Sequence, residues 1–283
     1  MEKYETIFKN HDGLIAHKWV HYFYIYDLLF ENIIRKNKPI NILEIGVDRG
    51  GGLEIWKKYF PENSKIHGID INKRCEKIKF SDNIFFHLGD ATDRVFMERI
   101  FSNIEFDIIL DDGSHICSDV IETFKIMFPK LKAGGLYVVE DLCTSYWKDY
   151  DGGYRKKGTS IEYFKNLIEA INSDYIVHFN FLRKYLKYFS KGFKDKVKIF
   201  LKNNGSRILS KKAIKTNISN GIDYSKLIES ISFYDSICAI KKFQQQKNNP
   251  FKSVITGQKN IDGLSCFKNE VPFIQDVKKY FGE

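Results

Sequence analysis

Short apolar runs recur through the first 150 residues with helix-length polar and mixed segments between them. They are "INILEIG" (40–46), "KIHGIDI" (65–71), "NIFFHLGD" (83–90), "FDIILDD" (106–112) and "GGLYVVED" (134–141). Within each run the apolar residues are nearly continuous rather than alternating, which is the pattern of a strand covered on both faces. Their spacing leaves room for one helix after each strand, so the pattern predicts βαβ units in an α/β, doubly wound, mostly parallel sheet. Two connecting helices are legible. "GGLEIWKKYF" follows the first strand, and "CSDVIETFKIMFPKL" follows the fourth with Val120, Phe124 and Phe128 at four-residue spacing, closed by Pro129 and "KAGG".

Every one of these strands carries an acid at or just past its C-terminal end: Glu44, Asp70, Asp90, the pair Asp111 and Asp112, and the pair Glu140 and Asp141. A single Asp in such a place is an ordinary helix N-cap. Five in step point instead to the crevice at the carboxyl edge of an open α/β sheet, where ligands bind. The first turn, "EIGVDRGGG", narrows the ligand. Gly46, Gly50 and Gly51 make a strand-to-helix turn, but the spacing is not G-x-G-x-x-G, and Glu44 would repel a pyrophosphate. A carboxylate is favourable beside a sulfonium or an ammonium, so an adenosyl cofactor with an amino-acid tail suits the turn better than a dinucleotide. Asp70 is placed to accept both ribose hydroxyls, and Asp90 to face the adenine amino group.

Composition bounds the remaining classes. With 283 residues, 43% hydrophobic, the chain can bury a full core. No apolar run is long enough for a membrane span, and "MEKYETIFKNHDG" lacks the apolar stretch of a secretion signal, so a cytoplasmic location is expected. Five cysteines without a CxxC pair suggest reduced thiols. Charge is uneven: Met1 to Tyr150 holds 20 Lys+Arg against 24 Asp+Glu, and the rest 25 against 12, a net of −4 beside +13. A basic half suits an anionic partner, such as a nucleotide-linked or acidic sugar, a nucleic acid or a membrane surface. Residues 181–202, "FLRKYLKYFSKGFKDKVKIFLK", read as a basic amphipathic helix, able to lie on an anionic membrane or to pack on its own domain with a solvated lysine face. No RNA-recognition signature accompanies the sequence pI of about 9.1, so nucleic acid is not expected as a partner, and RNA methylation stands as the distant alternative.

Several stretches carry a resemblance to a known family: "KWVHYFYIYD" (18–27), "ILEIGVDRGGGLEIWKKYFP" (42–61), "IHGIDINKRC" (66–75), "GDATD" (89–93), "DIILDDGSH" (107–115), "GGLYVVEDLCTSYW" (134–147) and "SISFYDSICAIKK" (230–242). They resemble the class I S-adenosylmethionine-dependent methyltransferases, and within them the magnesium-dependent sugar O-methyltransferases of the mycinamicin type. The resemblance implies a Rossmann-like, seven-stranded sheet whose last two strands form a hairpin. It implies S-adenosylmethionine and Mg²⁺ as cofactors, and a sugar, nucleotide-sugar or glycan hydroxyl as acceptor. Asp112, Glu140 and Asp141 are implied as metal ligands, and three hard oxygen donors on neighbouring strand ends do suit Mg²⁺. His115 is implied as the general base. Asp111 completes the strand end near the cofactor, and Tyr22 is raised by the resemblance alone to a residue of the cofactor site. Gly52 departs from the Ser common in relatives. Against these stand plainer readings, an Asx turn at Asp111, Asp112 and Gly113, and His115 as a neighbour of a helix cap.

The expected organisation is an N-terminal helical segment over 1–39, the methyltransferase domain over 40–247 with a basic insertion at about 174–222, and an extension over 248–283. Bacterial surface-polysaccharide biosynthesis is the expected setting, with a small-molecule or natural-product hydroxyl as the near alternative. A homodimer and peripheral membrane contact through 181–202 are left open by the sequence.

Overall fold

A computed structural model describes residues 2–172, 218–219 and 222–245. The basic helix expected over 181–202, nearly all of the insertion at 174–222, and the extension over 248–283 lie outside the described residues. The described residues fall in one compact unit, Met1–Gln245.

Two helices open the chain, α1 (Tyr4–Lys9) and α2 (Tyr22–Arg35). The elements then alternate: β1 (Asn41–Ile45), α3 (Gly51–Tyr59), β2 (Lys65–Asp70), β3 (Ile84–Leu88), α4 (Arg94–Ile100), β4 (Phe106–Asp111), α5 (Cys117–Met127), β5 (Leu131–Val139) and α6 (Ser160–Ile171). A two-stranded ribbon of β6 (Ile218–Ser219) and β7 (Ile222–Asp223) precedes the closing hairpin, β8 (Ile228–Phe233) and β9 (Cys238–Lys242). The main sheet has seven strands in the order β3-β2-β1-β4-β5-β9-β8. Its first five are parallel and β9 and β8 antiparallel, as the sequence predicts. The strand order reverses between β1 and β4, so a crevice opens at their carboxyl ends.

The continuous apolar runs are explained by two cores, one on each face. Ile42 on β1, Ile108 and Leu110 on β4, and Val138 on β5 pack with α1, α2 and α3. Leu43 and Ile45, Ile109, Tyr137 and Val139 pack with α4, α5 and α6 on the other face. Successive strand side chains point to opposite faces, so this alternation also sorts the acids at the strand ends. Glu44 and Glu140 continue the first face; Asp111 continues the second, where the Tyr137 hydroxyl donates to its Oδ2 at 2.8 Å.

Residues 11–21 run from α1 to α2 across the start of α3. The backbone amide of Leu14 donates to Glu54 Oε2 at 2.7 Å, and that of Gly51 to the Ile15 carbonyl at 3.2 Å. The contact is so close that a side chain at position 51 would collide with the Leu14 and Ile15 backbone, which accounts for the third glycine of the turn.

On the far side of the sheet His67 of β2 and His87 of β3 stack, with Nδ1 of the first 3.2 Å from Nε2 of the second. Phe101 and Phe106 close the pair in. Burial first, then His87, pushes His67 down to about 4, and burial lowers His87 as well. A folded-state value below the unfolded 6.5 means that the unfolded chain binds more protons between these values, so stability is complete above about pH 6.5 and is lost as the pH falls toward 4. The melting temperature is expected to decline across that window. His67→Phe, which cannot titrate, should decline less; an identical decline in the variant would remove the histidine pair as its cause.

Candidate active site

The crevice at the β1/β4 reversal is a cavity of about 620 Å³ lined from both sides of that switch point. Glu44, Gly46, Asp70 and Asp90 line one part, and Asp112, His115, Glu140 and Asp141 the other. Tyr22 and Asp111 also line it, so the structure brings the candidate site residues of the sequence, save Gly50 and Gly51, to one cavity. Gly50, with φ of +89°, caps the start of α3 behind it.

The turn after β1 is shaped by its neighbours. Gly46 has φ of +91°, and a Cβ there would collide with the Asp112 carbonyl; the turn therefore lies flat against the end of β4. A Cβ on Gly52 would sit 2.8 Å from Glu44 Oε2, so the glycine that departs from the resembled pattern leaves room for this buried carboxylate. Trp56 Nε1 donates to Glu44 Oε1 at 3.1 Å, while Oε2 is buried without a hydrogen-bond partner. Burial raises the Glu44 carboxyl above its usual range. A buried acceptor left open toward a cavity suits a ligand carrying a positive charge.

Asp70 is held by the loop it helps to form. Its Oδ2 accepts from the amides of Val47 and Asp48 at 2.9 and 3.0 Å, and its Oδ1 from Asn72 at 2.8 Å. Asp90 Oδ1 takes both the amide and the hydroxyl of Thr92. Each carboxylate is thus fixed by backbone and keeps acceptor capacity at the cavity, which fits the nucleoside part of an adenosyl cofactor. Asp111 is buried, and burial pushes it up to about 7 despite the Tyr137 hydroxyl.

The second half of the cavity holds the cluster that the doubled acids announce. His115 Nε2 lies 3.8 Å from Asp112 Oδ1 and 3.6 Å from Asp141 Oδ2. The three ligand atoms lie within 4.8 Å of one another, the arrangement of a small cation site. Both His115 and Asp141 have left-handed backbones, φ of +58° and +49°, conformations sparsely populated outside glycine and frequent at functional sites. The other oxygen of each acid is occupied. Tyr22 Oη and Trp19 Nε1 donate to Asp141 Oδ1 at 2.6 and 2.9 Å, and Lys18 Nζ donates to Asp112 Oδ2 at 2.5 Å. Two carboxylates, each tied through one oxygen and presenting the other beside an imidazole, fit a divalent cation.

Glu140 is placed differently. It is buried, accepting from Tyr26 Oη at 2.6 Å and from Lys18 Nζ at 2.7 Å, outside the group of Asp112, His115 and Asp141. Tyr22, expected beside the cofactor, engages Asp141. The two tyrosines stand one turn apart on α2 and meet the consecutive residues Glu140 and Asp141.

Lys18 was not singled out by sequence reasoning. Its side chain is 5% exposed, with the ammonium 3.6 Å from Glu44 as well. Burial opposes its charge, but Asp112, Glu140 and Glu44 outweigh that and hold it well above the ordinary lysine value. The available signal was its place at the head of "KWVHYFYIYD", four and eight residues before the two tyrosines.

No family model matches the chain. Among known proteins, it is 38% identical over 147 residues to the mycinamicin VI 2''-O-methyltransferase of Micromonospora griseorubida, covering 48% of this chain and 36% of that one. It is 34% identical over 147 residues to the 8-demethyl-8-alpha-L-rhamnosyl tetracenomycin-C 2'-O-methyltransferase of Streptomyces olivaceus, covering 48% and 38%. The matched part is thus little more than a third of each relative's length. Among solved structures, the MycE methyltransferase of the mycinamycin biosynthetic pathway, in complex with Mg, S-adenosylhomocysteine and mycinamycin VI, superposes with a TM-score of 0.57 at 27% identity, over 80% of this chain and 51% of that one. The chain has the Rossmann-like fold of the class I S-adenosylmethionine-dependent methyltransferases, and its sequence is similar to that of the sugar O-methyltransferases of the mycinamicin type.

Proposed function

We propose that this protein is an S-adenosylmethionine- and divalent-metal-dependent O-methyltransferase acting on a sugar hydroxyl. The observation that carries the reading is the juxtaposition, in one cavity, of the Glu44–Asp70–Asp90 strand ends with Asp112 and Asp141, each offering one oxygen toward His115. The named activities of the relatives and the Mg and S-adenosylhomocysteine bound by MycE support it. Those relatives act on sugars of glycosylated natural products, and nothing in the comparisons speaks for surface polysaccharide; the proposed acceptor is therefore a sugar hydroxyl, with the basic second half of the chain favouring an anionic carrier.

Glu44, Gly46 and Gly50 would shape the pocket for the charged end of the cofactor, with Asp70 on its ribose, Asp90 on its adenine, and Asp111 with Tyr137 closing the floor. Asp112 and Asp141 would hold the cation. Tyr22 and Trp19 fix the unused oxygen of Asp141, and Glu140 fixes Lys18 behind Asp112. A divalent cation would supply acidification of a sugar hydroxyl. His115 Nε2 is then placed to accept the hydroxyl proton, so that the oxygen can attack the methyl carbon in line as the sulfonium bond breaks. Magnesium prefers oxygen donors and would leave the imidazole free for that work.

Mass spectrometry of candidate glycosylated acceptors and sugar nucleotides, after incubation with S-adenosylmethionine and Mg²⁺, should show a gain of one methyl, and none after EDTA. Activity should return on adding Mg²⁺; full turnover after chelation and dialysis would return the acids to a structural role. Asp70→Ala should weaken S-adenosylhomocysteine binding by about 1–3 kcal/mol in calorimetry with the fold intact, from the lost ribose hydrogen bonds. His115→Ala should lower kcat by about 10² to 10⁴ with cofactor affinity unchanged. A near wild-type kcat in that variant would assign the proton transfer elsewhere.

A further inference from the structure

The segment that leaves β5 brings aromatic rings beside His115, and the chemistry described so far does not use them. The ring of Tyr150 lies 6.3 Å from that of His115, centroid to centroid, and the indole of Trp147 lies 6.0 Å from Tyr150. Trp147 is 51% exposed, so its indole forgoes much of the gain from burial that an aromatic side chain of this size can make. Its backbone is nevertheless held firmly. Thr144 Oγ1 donates to the Asp141 carbonyl at 2.7 Å and lies 3.3 Å from the His115 carbonyl, which ties the segment to both residues of the cavity rim. Three residues later the Trp147 amide donates to the Thr144 carbonyl at 2.9 Å, and the Trp147 carbonyl accepts from the Gly152 amide at 2.8 Å. A Cβ on Gly152 would lie 2.5 Å from that carbonyl oxygen, so only glycine fits the return turn. Ser145 is buried beneath it, with its Oγ 2.6 Å from Ser160 Oγ. An open indole on a backbone fixed in this way is preorganised to receive a ligand.

We propose that Tyr150 and Trp147 form the wall on which the methyl acceptor stacks, Tyr150 under the sugar whose hydroxyl faces His115 and Trp147 under the unit to which that sugar is joined. The inference rests on the O-methyltransferase reading above and adds the residues that select the acceptor. A pyranose ring has C–H faces and a hydroxyl edge. The face gains by covering an aromatic ring, while the edge keeps polar partners, and the surroundings of His115 offer both within one ring contact. Trp147 stands one ring further out, so a single sugar seated at His115 covers Tyr150 and leaves the indole to its neighbour. That neighbour presents an apolar face to the indole, supplied either by the C–H side of a second sugar or by an aromatic carrier. A free monosaccharide would leave Trp147 bare and forgo its contribution.

The test measures glycoside binding in the presence of S-adenosylhomocysteine and Mg²⁺. Methyl α-glycosides of glucose, galactose, mannose and rhamnose are screened by saturation-transfer nuclear magnetic resonance. The best binder is then compared with its 4-nitrophenyl glycoside and with a disaccharide that carries the same sugar at its non-reducing end. The wild type is expected to bind at least one of these two extended glycosides about fivefold or more tightly than the methyl glycoside. Trp147→Ala and Trp147→Gln should erase that advantage and leave the methyl glycoside unaffected. Tyr150→Leu should weaken all three about fivefold or more, and Tyr150→Phe should keep the wild-type affinities, since stacking needs the ring and not the hydroxyl. Calorimetry should show S-adenosylhomocysteine affinity unchanged in every variant. An advantage confined to the nitrophenyl glycoside identifies an aromatic carrier, and one confined to the disaccharide a second sugar; either upholds the wall. A wild type that binds none of the methyl glycosides, an extension that brings no advantage, or an advantage that survives both Trp147 variants overturns it. So does the loss of folding, by circular dichroism, in both Trp147 variants. Glycoside binding as expected without any S-adenosylhomocysteine binding would uphold the wall and refute the methyltransferase reading, whereas cofactor binding with none of the glycoside effects would refute the wall alone.

Discussion

The buried ammonium of Lys18 is the interaction on which the site depends. It joins four parts of the chain that are far apart in sequence: the segment before α2, the end of β1 through Glu44, the end of β4 through Asp112, and the end of β5 through Glu140. Carboxylates gathered this closely would repel one another if left alone, and burying one uncompensated costs several kcal/mol. Removing one partner of such a group typically costs about 3–5 kcal/mol, because the remaining charges stay buried. The N-terminal segment returns across the acidic strand ends and sets a cation among them.

That arrangement divides the acids by their orientation. Glu44 and Glu140 point inward on the face covered by α2 and α3, where Trp56, Tyr26 and Lys18 occupy them. Asp141 turns outward through a left-handed backbone and shares the rim with His115. Asp112 stands between, one oxygen to Lys18 and the other toward His115. The pair at 140 and 141 thus meets two sets of partners from adjacent positions, Tyr26 and Lys18 on one acid, Tyr22, Trp19 and His115 on the other.

Much of this is legible in the residues. The nearly continuous apolar runs require a sheet covered on both faces, and strand alternation then sends Glu44 to the side of Ile42 and Asp111 to the side of Ile109. The glycines of the first turn mark a close approach, though not whose. The Asp112 carbonyl, the Ile15 backbone and the Glu44 carboxylate supply the three reasons, and each comes from a different stretch of chain. His115 is recognisable as unusual because neither a turn nor a cap calls for it.

What the sequence determined by itself was the layout of the chemistry: which segments are strands, which ends carry acids, and that a crevice at the carboxyl edge of the sheet receives them. These follow from local periodicity and from the handedness of βαβ connections, which act over short separations. Tertiary structure alone decided the division of labour among the acids. Lys18 lies 94 residues from Asp112 and 122 from Glu140, and no periodic pattern ties a lysine in an irregular segment to partners at such distances. Two carboxylates adjacent in sequence are alike to any local rule. Only the folded chain, by bringing one ammonium and two tyrosine hydroxyls to them from the same side, ties Glu140 to Tyr26 and Lys18 and leaves Asp141 Oδ2 beside His115.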